Sequence, residues 1–413
     1  MTNPASIHPA LSKAPMATLL ALYVAQGLPS GLFAHALPVF WREAGVALTW
    51  IGALKLLALP WILKVLWAPM VDRSLWRQPP IKWVFWLQLL AALLLVGLGQ
   101  VGLTPQGSWL PLTLAAILLI NLLMATQDII TDGLAVKRIP PLWRGLANTL
   151  QVAGYKVGML VGGAFLLMLA SHVDTHIALL LPAGLLILLV ALIFRSPTLA
   201  EATPPVASRQ ESTTGIVDAF TGLLRQPSML FWLFIVACYK IGDAVGSGMV
   251  RPMLTDGGWS SSEIGNFTLV TTLVGLLGAA LGGWLYARQG GRRSLIWAGV
   301  AQALTIGGWG MVAVYGTGPA LVYGVGIAEQ LADGASTVVL FAMMMMLCRK
   351  HWAGTDFTIQ ASLQVIFGGL FGLAGGALAD VAGYTANFVV AGIAGLFITL
   401  VYSMKTRRQP ALA

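Results

Sequence analysis

Apolar and polar positions along the chain alternate in long blocks. Runs of apolar residues with few charges are separated by short breaks rich in Gly, Pro, Arg and Asp. Twelve such runs stand out, at about 17–40, 51–70, 82–103, 110–136, 145–170, 177–194, 228–250, 262–287, 294–315, 319–347, 357–380 and 385–404. An α-helix rises about 1.5 Å per residue and the hydrocarbon core of a bilayer is about 30 Å thick. The pattern therefore predicts an all-α membrane protein with twelve transmembrane helices.

The charges between the runs set the orientation. Arg73, Arg77, Lys82, Lys137, Arg138, Arg144, Arg195, Arg209, Arg225, Arg288, Arg292, Arg293, Arg349, Lys350, Lys405, Arg407 and Arg408 fall on one side, with Lys13. Only Arg42 and Arg251 fall on the other. Basic loops stay in the cytoplasm, so both termini are expected there, and an even number of helices follows.

One break is much longer than the rest. Residues 195–227 carry Pro197, Pro204, Pro205 and a Ser/Thr-rich run, the composition of a flexible linker. It divides the chain into an N-terminal six-helix half (1–194) and a C-terminal six-helix half (228–413). The halves echo one another. Pro38, Glu43-Ala44-Gly45 and Ile51-Gly52 are matched by Pro252, Asp256-Gly257-Gly258 and Ile264-Gly265. Arg144-Gly145 and Gln151 are matched by Ala353-Gly354 and Gln360. Two parallel six-helix repeats are a secondary-transporter architecture, with the substrate held between them near the midplane.

Composition supports a membrane-spanning chain. Of 413 residues, 57% are hydrophobic and 9% are charged, against about 25% charged in soluble domains. The formal net charge of +9 reflects loop topology, so no nucleic-acid partner is expected. Cys238 and Cys348 lie far apart, which argues against a disulfide or a metal site. His172-Val173-Asp174-Thr175-His176 has no further ligand near it and reads as a solvated turn. The first 16 residues carry no apolar core of signal-peptide type.

Charges inside the apolar runs are the candidate chemistry, because each costs about 2.5–3.5 kcal/mol on insertion scales. Asp128 and Asp132 share one face of helix 4. Paired carboxyls with poor solvation suit the holding and release of a proton. We read Asp128 as functional and Asp132 as a helix-end residue paired with Lys137 or Arg138. Glu329 and Asp333 repeat the spacing near the middle of helix 10, either as proton carriers or as a structural pair with a neighbouring helix. Lys240 and Asp243 on helix 7 are spaced to pair, statically or as a switch. Lys156 has no partner in its own helix, so it meets either a carboxylate elsewhere or an anionic substrate. Lys55 and Lys64 sit nearer the ends of helix 2, where long side chains reach the interface; Lys55 reads as structural. Tyr155, Tyr239, Trp61 and Phe33 either stack on a ligand or pack. Glycines recur every four residues at Gly158 and Gly162, at Gly278 and Gly282, and at Gly368, Gly372 and Gly376. Such spacing brings helices close and suggests sliding contacts between the halves.

Two loops carry a family resemblance. The sequence Gly283-Trp284-Leu285-Tyr286-Ala287-Arg288-Gln289-Gly290-Gly291-Arg292-Arg293 resembles the cytoplasmic signature of the major facilitator superfamily, with Ala287 where the family usually has Asp. The equivalent Ala68-Pro69-Met70-Val71-Asp72-Arg73 keeps Asp-Arg without the glycine. The resemblance implies that Asp72, Arg73, Arg144, Arg288, Arg292 and Arg293 form cytoplasmic gating loops.

Three stretches narrow it. Gln26-Gly27-Leu28-Pro29-Ser30-Gly31, then Lys64 to Arg73, then Gln127-Asp128 with Asp132, Arg144-Gly145 and Gly154-Tyr155-Lys156 resemble the branch of AmpG muropeptide permeases and RhtX/FptX siderophore permeases. The compact twelve-helix length looks more like the RhtX/FptX type. That resemblance implies proton-driven import of an iron–siderophore complex, pyochelin-like, across the bacterial inner membrane. The alternative is AmpG-like import of cell-wall fragments. Asp128, Glu329 and Asp333 would carry the proton, and Gln127, Tyr155, Lys156, Tyr239, Lys240 and Asp243 would meet the substrate. No nucleotide-binding loop and no hydrolase or metalloprotease motif is found. The expectation is a monomeric permease, not an enzyme, whose partners are a small molecule, protons and lipid, without cofactor or metal.

Overall fold

A computed structural model describes residues 13–44, 54–75, 78–101, 110–170, 172–194, 196, 199 and 216–408. Among them there are helices and no strand. The helices are α1 (Pro15–Trp41), α2 (54–75), α3 (Pro80–Gln100), α4 (Leu110–Arg138), α5 (Pro141–Ala170), α6 (His176–Ile193), α7 (Met229–Asp256), α8 (Glu263–Gln289), α9 (Gly291–Tyr315) and α10 (Pro319–Met346). The last helical stretch, Ala353–Thr406, bends at Gly383 (φ 79°, ψ 170°) into α11 (353–382) and α12 (384–406). That backbone region is open to glycine at little cost. Ten of these stretches, counting Ala353–Thr406 once, are long and apolar enough to cross a membrane; α2 offers the shorter apolar helix Leu56–Leu66.

α2 is broken for a physical reason. Pro60 and Pro69 each remove a backbone donor and crowd the preceding turn. The segment folds as a 3₁₀ turn (Leu54–Ala58), an α-turn (Leu59–Leu63), a second 3₁₀ turn (Lys64–Leu66) and the helix Ala68–Leu75. α7 is also interrupted. Lys240 leaves helical geometry (φ −94°, ψ 17°) between Met229–Cys238 and Ile241–Asp256. α1 and α5 each contain one π turn, Leu32–Ala36 and Val161–Phe165, which lie against each other.

The helices sort into two bundles, α1–α6 and α7–α12, through their contacts. α1 packs on α5 so closely that a Cβ on Gly27 would lie 2.8 Å from the Cα of Gly158, and one on Gly158 would lie 2.7 Å from the Cα of Gly27. Gly278 and Gly282 of α8 meet the backbone of Leu331 and Ala335 on α10 in the same way. These repeats therefore lock helices within a bundle, which corrects the expectation of sliding contacts between halves. On α11 the close approach, to Val245 of α7, is made by Gly375, while Gly368 has open space around it.

Within the linker, Ile216–Leu224 is a helix rather than a flexible stretch, and Arg349 donates to the carbonyl oxygen of Ala219 on it. Residues 200–215 lie outside the described residues, as does the side chain of Lys55.

Candidate transport pathway

The bundles meet at the end that carries the basic loops. Asp72, at the end of α2, is fully buried and accepts from the backbone N–H of Thr355 (2.7 Å), from its Oγ1 (2.9 Å) and from the N–H of Gly354 (3.4 Å) at the start of α11. Lys137 pairs with the same carboxylate at 3.3 Å. Arg144 donates to the carbonyl oxygens of Met345 (3.1 Å) and Val136 (3.3 Å). Thr149 donates to the Ala279 carbonyl oxygen (2.9 Å) and Ser362 to that of Ile62 (3.1 Å). The last acceptor belongs to the broken segment of α2, where the helical ladder leaves carbonyls free. Glycines make room for this closure: a Cβ on Gly145 would lie 2.7 Å from the Gly283 carbonyl oxygen, and one on Gly133 would lie 3.2 Å from the Gly354 nitrogen.

Toward the other end the bundles leave two chambers. The first, of about 500 Å³, is walled by α1, α2, α4 and α5 and lined by Ser30, Phe33, Leu37, Trp61, Asn121, Tyr155 and Met159, among others. Its polar groups are largely satisfied internally. Trp61 Nε1 donates to Asn121 Oδ1 (2.9 Å), Asn121 Nδ2 to Ile117 (3.0 Å) and Ser30 to Gln26 (3.0 Å). What it presents is aromatic, with Trp61 and Tyr155 edge to face at 6.3 Å. The second chamber, of about 400 Å³, has a different chemistry. Asp243, Ser247, Arg251, Thr268, Thr271, Thr272, Glu329, Gln330 and Asp333 line it.

Besides Lys137–Asp72 at the closure, each bundle holds, among the described residues, a lysine–aspartate pair with the lysine buried in its interior. Lys64 pairs with Asp128 in the first, and Lys240 pairs with Asp333 in the second. Gln302 Nε2 also donates to Asp333 (3.2 Å), and Lys240 to Ser336 Oγ (3.0 Å). Three sequence readings are corrected here. Lys64 does not reach for an interface, because the break in α2 turns it inward onto Asp128. Lys240 does not pair along its own helix with Asp243, because the interruption at Lys240 aims its side chain at α10. Asp132 does not pair with Lys137 or Arg138. Its Oδ1 accepts from Tyr23 Oη (2.9 Å) and Gln151 Nε2 (3.3 Å), while Lys137 goes to Asp72.

The other named residues scatter. Tyr155 and Asp243 line the chambers. Gln127 is fully buried inside the first bundle and donates to Leu22 (3.3 Å). Tyr239 is turned from both chambers and donates to Leu295 (2.7 Å). Glu329 is 4% exposed; its Oε2 accepts from Gln330 Nε2 (2.9 Å), and its Oε1 has no partner. Lys156 is half-buried on α5 at the seam between bundles, beside Gly275 of α8 and Gln330 of α10. Arg292 donates to Thr406 (2.9 Å), exposed Arg288 lies over the Trp284 ring (5.5 Å), Arg293 is exposed and Arg73 half-buried. The closure thus uses Asp72 and Arg144. The basic loop of α8–α9 packs on its own bundle.

Sequence reasoning missed Asn121, Gln330 and the Thr355 end of the Asp72 contact. The start of α11 carried one usable signal, Ala353-Gly354, already visible as the echo of Arg144-Gly145.

Two helical bundles closed against each other at one end, each opening a chamber toward the other end, have the form of a secondary transporter. The chain matches the Major Facilitator Superfamily over residues 19–372 and belongs to that family. Its members are transporters rather than enzymes, and this chain is a multi-pass inner-membrane permease. It is 29% identical over 401 residues to the anhydromuropeptide permease of Escherichia coli (strain K12), covering 93% of this chain and 79% of that protein. It is 24% identical over 404 residues to the putative transporter AmpG 4 of Rickettsia conorii, covering 94% and 96%. Among solved structures, the transporter FucP in the outward conformation superposes with a TM-score of 0.71 at 13% identity, covering 95% of this chain and 98% of that one. The human organic anion transporter MFSD10 (TETRAN) gives 0.68 at 14%, covering 94% and 97%.

Proposed function

We propose that this chain imports anhydromuropeptide-like cell-wall fragments, driven by protons, through alternating access of two six-helix halves. In this reading twelve segments cross the membrane, both termini and the basic loops are cytoplasmic, and the chain is a monomer. The two chambers then face the outside, and the closure at Asp72 and Arg144 is the inner gate. The likeness to the E. coli anhydromuropeptide permease along 93% of the chain carries the choice of cargo.

Siderophore import rested on the compact length. AmpG 4 of Rickettsia conorii is covered over 96% of its own length, so a compact chain is equally at home among AmpG-type proteins. That removes the reason for preferring a metal chelate.

Asp128 and Asp333 are the proton carriers that geometry favours, with Glu329 as a third. Neutralising one aspartate leaves its lysine buried without a counter-charge, which is costly. The pairs join α2 to α4 and α7 to α10, so a proton that breaks one loosens helices that line the pathway. Uptake of labelled anhydromuropeptide and of a labelled ferric siderophore into proteoliposomes, with and without an inward proton gradient, tests the reading. Gradient-stimulated muropeptide uptake is expected, lost in Asp128→Asn. Siderophore uptake alone would overturn the cargo.

A further inference from the structure

The strongest unresolved chemistry lies at the seam of the two halves, between the chambers. Lys156 on α5 has no hydrogen bond or ion pair among the described residues. On α10, one residue before Gln330, Glu329 is buried and one of its carboxyl oxygens has no donor. Gln330 stands between them. Its Nε2 is committed to Glu329 Oε2 at 2.9 Å. Its Oε1 and the Lys156 ammonium approach the same point beside Gly275, at 3.2 Å and 3.5 Å from where a Cβ there would lie.

A poorly solvated ammonium needs acceptors, and a buried carboxyl oxygen needs a donor. They do not meet each other, and leaving such groups unpartnered is costly. A ligand that presents an anionic acceptor and a donor side by side satisfies both at once. Gly275 bears on this, since a Cβ there would press on Gln330 Oε1 at 3.2 Å and fill the space beside the Lys156 ammonium.

We infer that Lys156 and Glu329 form one cargo subsite across the seam, Lys156 taking a carboxylate of the cargo and Glu329 Oε1 taking an adjacent N–H or O–H. This rests on the muropeptide reading, whose cargo combines carboxylates with amide and hydroxyl donors. Because the two residues belong to different halves, occupancy ties the halves together at mid-depth. The aromatic chamber of Trp61 and Tyr155 is left for the apolar faces of the cargo rings. The acidic chamber is left for its polar end.

The test is direct binding of a labelled anhydromuropeptide, and of the same molecule with its carboxylates amidated, to the purified full-length chain in lipid nanodiscs. Wild type is expected to prefer the free carboxylate form by about tenfold or more, the scale of one charge-assisted hydrogen bond. Lys156→Met should abolish the preference and Lys156→Arg should keep it. Lys156→Gln replaces the Met variant if that one fails to fold by thermal melt. Glu329→Leu should weaken both forms alike and leave the preference intact. A preference that survives in Lys156→Met or Lys156→Gln overturns the role of Lys156, and unchanged affinity in Glu329→Leu overturns that of Glu329. Equal binding of both forms by wild type overturns the subsite while the cargo reading stands. Binding of neither form overturns the cargo reading and the subsite together.

Discussion

Lys64 and Lys240 show how much one side chain decides here. Each places its ammonium, buried in the interior of a bundle, on an aspartate of a neighbouring helix. Removing one partner of a buried pair strands the other charge and costs about 3–5 kcal/mol, whereas replacing both by apolar groups is often neutral. Lys64→Met or Asp128→Leu alone should therefore lower the melting temperature of the purified protein by many degrees. The double variant Lys64→Met with Asp128→Leu should recover most of that loss while transport stays abolished. Stability that fails to return in the double variant would mean that the pair is not the coupling between these residues. The carboxylates were legible in the sequence, because a charge in an apolar run announces itself. Their partners were not, because Lys64 and Asp128 are distant in sequence and nothing local to either records which helix it faces.

At the scale of elements, the glycine spacing was legible but its purpose was not. The period of four marks a close approach without saying which helix approaches. In the structure it belongs to α1–α5 and α8–α10, inside the bundles. Gly158→Val should disrupt the α1–α5 contact, because its side chain would collide with the backbone of Gly27 and Val24. Overpacking of this kind costs about 1–3 kcal/mol or more. Gly368→Val should be tolerated, since nothing lies within 4 Å of the position. Thermal melts and the monodisperse yield of the two variants check the contrast. The breaks in α2 and α7 follow a similar split. The sequence pattern reads α2 as one regular span, and only the fold shows that Pro60 and Pro69 break it, turning Lys64 inward and freeing the Ile62 carbonyl for Ser362.

For the whole molecule, the question is how firmly one end is shut. Asp72 ties α2 and α4 to the start of α11, and Arg144 ties α5 to the end of α10. Cys348 lies in the turn between α10 and α11, with Sγ donating to the Met344 carbonyl oxygen (3.1 Å) and accepting from Gln360 Nε2 (3.4 Å). Burial pushes its thiol well above the ordinary range, with Asp356 adding to the rise. A raised thiol holds less thiolate at a given pH, so it alkylates slowly. In a Cys238→Ser background, maleimide labelling of Cys348 should be slow at pH 7 and accelerate as the pH rises. Asp72→Ala should raise the rate at pH 7 about tenfold by shifting the population toward a state open at this end. An unchanged rate, with an unchanged melting temperature, would mean that Asp72 does not hold the gate.

The sequence by itself determined the helical membrane character, the places of the apolar segments and the branch of the family. Each is written in local composition or in short motifs, and local patterns survive without a fold. Tertiary structure alone decided which charges are neutralised and which are left over. It paired Lys64 with Asp128 and Lys240 with Asp333, sent Lys137 to Asp72, left Lys156 beside Gln330, and left one oxygen of Glu329 without a partner among the described residues. Those outcomes depend on helix rotation and on breaks in α2 and α7. A few tens of degrees of turn there exchange one buried partner for another without changing any pattern along the chain.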